Sequence, residues 1–320
     1  MRARCLPVFA VLVVLSLAMP MSAAGQEAEG GASPRTPWGD PDLQGTWSYA
    51  SLTPLQRPAE LGDRQHYTPE EAEARNFAVT QDRPPVPGQV GSYNALWFDR
   101  GRVSEDLRTS LIVDPPDGRL PLRAETRERM AADAAYRREH PADSWLDRSN
   151  WDRCITYHGV PPVSTGYNNT YHIVQAPGYV AIRVENIHDV RVIPVDGRPR
   201  LDDGIRQWNG DSRGRWEGDT LVVETANFSD QSQHRFPSSS GMVVVERFRR
   251  AAPDRIDYEF TITDPAVYTQ PWTVVRPMPL LPGYHIYEYA CHEGNYAMTN
   301  ILSGERAQER ERAAQAGEGR

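Results

Sequence analysis

The sequence predicts a mainly β protein whose core is an antiparallel up-and-down barrel or a strongly curled sheet. Three observations carry that expectation. From residue 170 the apolar period is two, through "TYHIVQ", "GYVAIRVEN", "HDVRVIPV", "DTLVVETANF", "MVVVERFRR", "IDYEFTIT", "WTVVRPM" and "YHIYEYACHE", which is the strand period. The spacers are mostly short turn signals, "APG", "VDGRP", "RGRWEGD" and "AAPDR". Spacers of that length permit only neighbouring antiparallel pairs, because parallel strands need a crossover of about a dozen residues. No helical pattern interrupts the run, and closing it on itself would remove exposed edges.

The elements follow in chain order. Arg2 and Arg4, the apolar run "VFAVLVVLSLAM" and the small residues "SAA" ending at Ala24 have the layout of a cleaved secretory signal peptide, residues 1–24. The apolar run is too short for a spanning helix, and no other stretch suggests a membrane span in the mature chain. Residues 25–45 are rich in Gly, Pro and acidic residues and read as a flexible lead-in. Residues 46–149 form an N-terminal arm with helices and first strands, beginning at "GTWSY". In "TPEEAEARNFAVTQ", Thr68 is placed to cap a helix that Pro69 opens, with Glu70 and Glu71 at the positive end of its dipole. "RTSLIVDPPDGRLP" is a strand stopped by a Pro-Asp-Gly turn, and "RAETRERMAADAAYRREHP" is a charged amphipathic helix. Residues 150–300 hold the barrel core, in which "IDYEFTIT" puts Ile256, Tyr258, Phe260 and Ile262 on one face. Residues 301–320 are a C-terminal helix and tail.

Of the three cysteines, Cys5 leaves with the signal peptide. Cys154 and Cys291 remain, and an even pair in an oxidising compartment reads as one disulfide, with a catalytic thiol as the competing reading. A net charge of -8 and the lack of a basic stripe argue against nucleic acid as a partner. The expected location is the periplasm or the exterior of the cell.

The opening Gly45-Thr46-Trp47 followed by a hairpin meander resembles the lipocalin-like, or calycin, architecture, in which a Gly-x-Trp strand plugs one end of a barrel. "TPWGDPDLQGTW", "RTSLIVDPPDGRLP", "RQWNGDSRGRWEGDTLVVET" and "YEYACHEGNYAMTNILSGERA" resemble a widespread family of uncharacterised secreted bacterial proteins. That resemblance spans nearly all of the mature chain and brings no catalytic residues with it.

The candidate chemistry clusters in the strand-rich half. None of the eight histidines has the HExxH or His-x-His spacing of a specific metal motif. A composite site remains open, with His172, His188 and His292 as ligands of a divalent transition metal. The alternative is acid-base work by Glu185, His188, Glu288, His292 and Glu293, for which the strand face Tyr284, Ile286, Glu288, Ala290 and His292 would line a cavity. Glu185 and Glu246 are carboxylates in otherwise apolar strands, and Arg183 and Arg247 are the expected partners. "RQWNGDSRGRWEGD" lacks the Lys-Ser/Thr of a phosphate loop and reads as a hairpin turn with Trp208 and Trp216 packed over it. Three functions fit: binding a small apolar or aromatic molecule in the barrel, an enzyme acting on such a molecule, or a structural component of an assembly.

Overall fold

A computed structural model describes residues 34–82, 94–157 and 159–318, apart from the side chains of His188 and Glu318. The expected signal peptide, much of the lead-in, the segment "RPPVPGQVGSY" and His158 lie outside the described residues. Among the described residues ten strands form two antiparallel sheets. The first sheet contains β1 (Gly45–Ser48), β3 (Thr170–Ala176), β4 (Tyr179–Val184) and β5 (Val190–Pro194), in that order. The second runs β2 (Ile112–Asp114), β10 (Trp272–Pro279), β9 (Arg255–Thr263), β8 (Val243–Ala252), β7 (Thr220–Ala226) and β6 (Asp211–Glu217).

The described residues also include three α-helices, α1 (Pro69–Ala78), α2 (Ala124–Glu139) and α3 (Ala297–Glu318). Thr68 caps α1 as expected, with its hydroxyl accepting from Glu71 N while the Glu71 carboxylate takes Thr68 N. No described helix is long and apolar enough to cross a membrane.

The sheets approach each other at two seams, and a glycine permits each approach. At Gly45, which has φ +139°, an added Cβ would meet Leu280 Cδ1 at 2.8 Å; beside it, Trp47 and Leu280 form a single β-bridge between β1 and the residue after β10. At Gly214 of β6, an added Cβ would meet Val195 Cγ1 at 2.7 Å and Ile193 Cγ2 at 3.0 Å, so the end of β5 lies against β6. Neither seam is a continuous ladder, and each sheet keeps its own strand order.

Alternation fills the space between the sheets. Ile256, Tyr258, Phe260 and Ile262 of β9 are all buried, as the sequence pattern requires, and one core cluster joins them to Trp47, Tyr171, Ile173 and Ile182 of the other sheet. Trp47 is wholly buried; its Nε1 donates to Leu43 O at 2.9 Å and the Arg250 guanidinium lies 5.3 Å from its ring.

Charge is buried in this core as well. Arg191 of β5 reaches across to the second sheet, donating from Nε to Ser212 Oγ and from Nη2 to Thr225 Oγ1, each at 2.9 Å, and bonding the Glu246 carboxylate of β8. Tyr258 of β9 donates to the other Glu246 oxygen at 2.9 Å. The partner of Glu246 is therefore Arg191, not the expected Arg247, which faces outward and pairs with Glu217. Neighbouring positions on a strand face opposite sides, so Arg247 could not share the interior with Glu246.

Two expected elements differ. "RQWNGDSRGRWEGD" is not only a turn: its second half is strand β6, paired with β7 from Asp211↔Ala226 to Glu217↔Thr220. Conversely, "YHIYEYACHE" forms no strand. Pro282 removes a ladder donor and Gly283, at φ +72°, turns the chain with Tyr284 N on Leu281 O, so residues 284–293 leave the sheet.

Two predictions follow from this packing. Replacing Glu246 by Gln strands the buried Arg191 charge and costs about 3–5 kcal/mol, measured by urea unfolding; the Arg191→Met/Glu246→Leu double variant recovers most of it. Burial holds the His234 imidazole down at about 4, beside Ser238 Oγ at 2.9 Å and stacked on Phe236. The ordinary value is 6.5, so as pH falls below it the unfolded chain takes up a proton that the folded state refuses until about 4. That contribution to stability is complete above 6.5 and is lost between 6.5 and about 4. His234→Phe flattens the dependence of unfolding free energy on pH across this window, and equal slopes for the two proteins would refute the assignment.

Candidate functional site

After β10 the chain runs as a strap over the outer face of the four-stranded sheet. Leu281 N donates to Thr46 O at 2.8 Å where the strap begins, and the Cys154–Cys291 disulfide anchors it further on. Between these points Arg183 Nη2 donates to Tyr287 O at 3.4 Å and the Tyr284 hydroxyl donates to Glu185 Oε1 at 2.5 Å. The disulfide expected from the cysteine count is thus present and holds the strap.

The strap roofs a pocket of about 440 Å³. Its floor is Thr46, His172 and Arg183, which are outward positions on β1, β3 and β4 and lie side by side in the register Thr46↔His172 and His172↔Arg183. Its roof is Leu280, Leu281, Tyr284, His285 and Ile286. One guanidinium and two imidazoles therefore share a cleft with three aliphatic side chains and a tyrosine, which suits a molecule with an apolar body and an acidic group.

Past Tyr284 the β4–β5 connection makes a polar corner. Glu185 N still pairs with Thr170 O at 3.1 Å, but the chain then turns through Asn186, Ile187 and His188 with a kink at Ile187. Ile187 sits at φ +58°, a region that a β-branched residue strongly resists, at a cost of about 1–3 kcal/mol. The turn is held by Val184 N on Asp189 O at 2.8 Å, and by Thr156 Oγ1 and Asn209 Nδ2 on Asp189 Oδ2 at 2.9 and 3.2 Å.

Inside this corner Glu185 is 6 % exposed and Asn186 is fully buried. Glu185 Oε2 and both amide atoms of Asn186 have no hydrogen-bond partner. Nearly all buried polar atoms are satisfied, so three adjacent exceptions mark the place. Desolvation and then the nearby Glu185 charge raise the carboxyl of Asp99 above its ordinary value. Burial, followed by the bond to Glu185, pushes the Tyr284 hydroxyl up as well.

The residues expected from sequence divide among different places. Glu185 lies in the corner, and its described partner is Tyr284 rather than the expected Arg183, which reaches the backbone of Tyr287. The backbone of His188 ends the strained turn, and its side chain lies outside the described residues. Glu288, His292 and Glu293 are exposed on the strap, so the strand face on which Glu288 and His292 would have lined a cavity does not form. His292 instead borders a second cavity of about 390 Å³ with Trp145, Asp152, Arg153, Cys154 and Met298. His172 belongs to the strap pocket, so His172 and His292 line different cavities. Among the described residues no group of three or more His, Cys, Asp or Glu is arranged to hold a metal.

Asp99, Asn186 and His285 were not singled out as site residues by the sequence pattern, and Tyr284 was named only as part of the cavity-lining strand face that does not form. The one usable signal was polar "EN" directly after the apolar strand "YVAIRV". Compared with known proteins, the chain matches no family model, no curated protein and no solved structure.

Removing the disulfide tests how firmly the strap is held. The Cys154→Ser/Cys291→Ser variant should lose about 2–5 kcal/mol of stability by denaturant titration, and strap residues should gain amide exchange before either sheet does. Uniform exchange across the molecule would contradict this view of the strap.

Proposed function

We propose that the protein is an extracytoplasmic binding protein that holds a small molecule, with an apolar or aromatic body and an acidic group, beneath the strap. The observation that carries the reading is the pocket of about 440 Å³ that Arg183 and His172 line from the floor and His285, Leu280, Leu281 and Ile286 line from the roof. Its volume is within the usual range for small-molecule sites. The disulfide and the signal-like N-terminus support export through an oxidising compartment. The two seams support reading the ten strands as a flattened, incompletely laddered barrel of lipocalin-like kind. Its interior is occupied by Trp47, Tyr171, Phe248, Tyr258, Phe260 and Trp272. A ligand therefore binds against the wall of the barrel and not within it.

A second reading, an enzyme acting on the same molecule, is favoured by one observation. Glu185 keeps a buried oxygen free near a second carboxyl, an arrangement that can hold a proton away from water.

Titration with 1-anilinonaphthalene-8-sulfonate, an aromatic anion, tests the binding reading by fluorescence. Binding should saturate at one site, weaken about tenfold or more in Arg183→Gln because a charge-assisted hydrogen bond is lost, and disappear in Ile286→Trp, which fills the pocket. The neutral analogue N-phenyl-1-naphthylamine should bind with little dependence on Arg183. Binding of the anion unaltered by both substitutions would place it elsewhere and end the proposal.

A further inference from the structure

We propose that the acid held under the strap is a long-chain carboxylic acid, whose alkyl tail leaves the pocket and lies along the outward face of β4 toward Tyr179. The inference rests on the binding reading of the strap pocket and names the class of ligand that the pocket takes. The pocket floor is one row of the outer face of the smaller sheet, formed by Thr46, His172 and Arg183. Val190 continues that row on β5, opposite Arg183, and is 57 % exposed. Two residues along each strand, and so on the same face, the next row is Val174, Ala181 and Val192. Val174 is 45 % and Val192 57 % exposed, whereas their alternate neighbours Ile173, Ile182 and Ile193 are buried in the core.

Contiguity separates this patch from scattered apolar surface. Single exposed valines need no explanation, but aliphatic side chains in register on three strands beside a pocket do. The small Ala181 between the two valines leaves a shallow trough along β4. It runs from Arg183 at the strap to Tyr179, four residues or about 13 Å away. None of the outward positions on β3, β4 and β5 is a carboxylate, and the two that can carry positive charge, His172 and Arg183, are at the pocket end. At the far end Arg198 lies 5.0 Å from the Tyr179 ring and pairs with Asp196.

Charge and shape choose the occupant. Arg183 gives one N–H to Tyr287 O, and among the described residues no carboxylate pairs with it, so its other donors suit an acidic head. The trough beyond the pocket offers aliphatic side chains as far as Tyr179, which suits an alkyl tail better than a compact ring. A second copy of the sheet is the rival occupant. Sheets stack about 10 Å apart, and the strap on the adjoining row obstructs that approach. A single alkyl chain is thin enough to lie beside the strap.

The test uses the mature protein and the sodium salts of octanoic and dodecanoic acid, each titrated by calorimetry below its micelle concentration. A methylene on an open sheet face loses about half its surface to the protein and so tightens binding about twofold. Dodecanoate should therefore bind about tenfold or more tightly than octanoate. Arg183→Gln should weaken both acids by a similar factor. Val174→Thr/Val192→Thr, which keeps strand propensity, should cut the difference between the acids to about threefold and leave octanoate unchanged. Should that variant fold poorly, Ala181→Gln, which fills the trough, makes the same test. Equal affinities for the two acids in the wild-type protein, with Arg183-dependent binding of the aromatic anion intact, would overturn this inference and leave the pocket reading standing. Failure of both acids and of the aromatic anion to bind would overturn the pocket reading and this inference with it. A wild-type dimer in light scattering that Ala181→Gln converts to a monomer would give the face to a second copy and overturn the inference equally.

Discussion

The Arg191–Glu246 pair is the constraint from which the rest of the architecture is arranged. Two sheets joined by one β-bridge at one seam and by side-chain packing at the other could slide on an apolar interface, because apolar contact has little directional preference. A guanidinium from β5 that bonds groups on β6, β7 and β8 allows a single register. Tyr258 extends that choice to β9. A buried ion pair adds little net stability over an apolar pair of the same volume. Its effect here is specificity: any other alignment of the sheets leaves a full charge buried and unpaired.

That interior determines where chemistry can occur. Tyr171 and Tyr258 lie near the same charges, and burial first and Glu246 second raise both phenols. Arg276 spans from β10 toward Pro162 O at 3.3 Å and lies 5.4 Å from the Tyr49 ring and 5.7 Å from the Tyr258 ring. Burial lowers its own proton affinity. These groups hold one another, so the middle of the molecule is a structural layer. The strap pocket and the unpartnered side-chain atoms of Glu185 and Asn186 lie instead at the outer wall and the β4–β5 corner of the smaller sheet.

How much of this was legible in the sequence depends on the range of the physics involved. The faces of β8 and β9 were legible because period two is a local property, and Ile256 to Ile262 kept it without exception. The disulfide was legible from parity and compartment alone. Strand β6 was hidden because "DSRGRWE" meets its neighbour β5 through a glycine and turns arginines outward, so it carries no apolar face to recognise. The error at residues 284–293 ran the other way: tyrosines spaced like a strand follow a Pro-Gly turn that removes them from any sheet edge. Glu185 stood out as a charge after apolar residues. Its surroundings did not, because Asp99 lies 86 positions before it and Tyr284 lies 99 after it in the numbering.

The strained turn ties the two outer features together. Ile187 could relax from φ +58° only by rotating the backbone between Glu185 and Asp189. Such a rotation would break Val184 N from Asp189 O, and Asp189 from Thr156 and Asn209. Strain of this kind persists where surrounding bonds over-determine it, and here those bonds come from segments around residues 156 and 209 as well as from β4. The turn leaves Glu185 Oε2 and both amide atoms of Asn186 buried without a hydrogen-bond partner, while Glu185 Oε1 takes the Tyr284 hydroxyl. A relaxed turn would give those atoms to solvent and lose the anchor of Tyr284. The corner and the pocket wall are therefore one mechanical unit, joined through a single tyrosine hydroxyl.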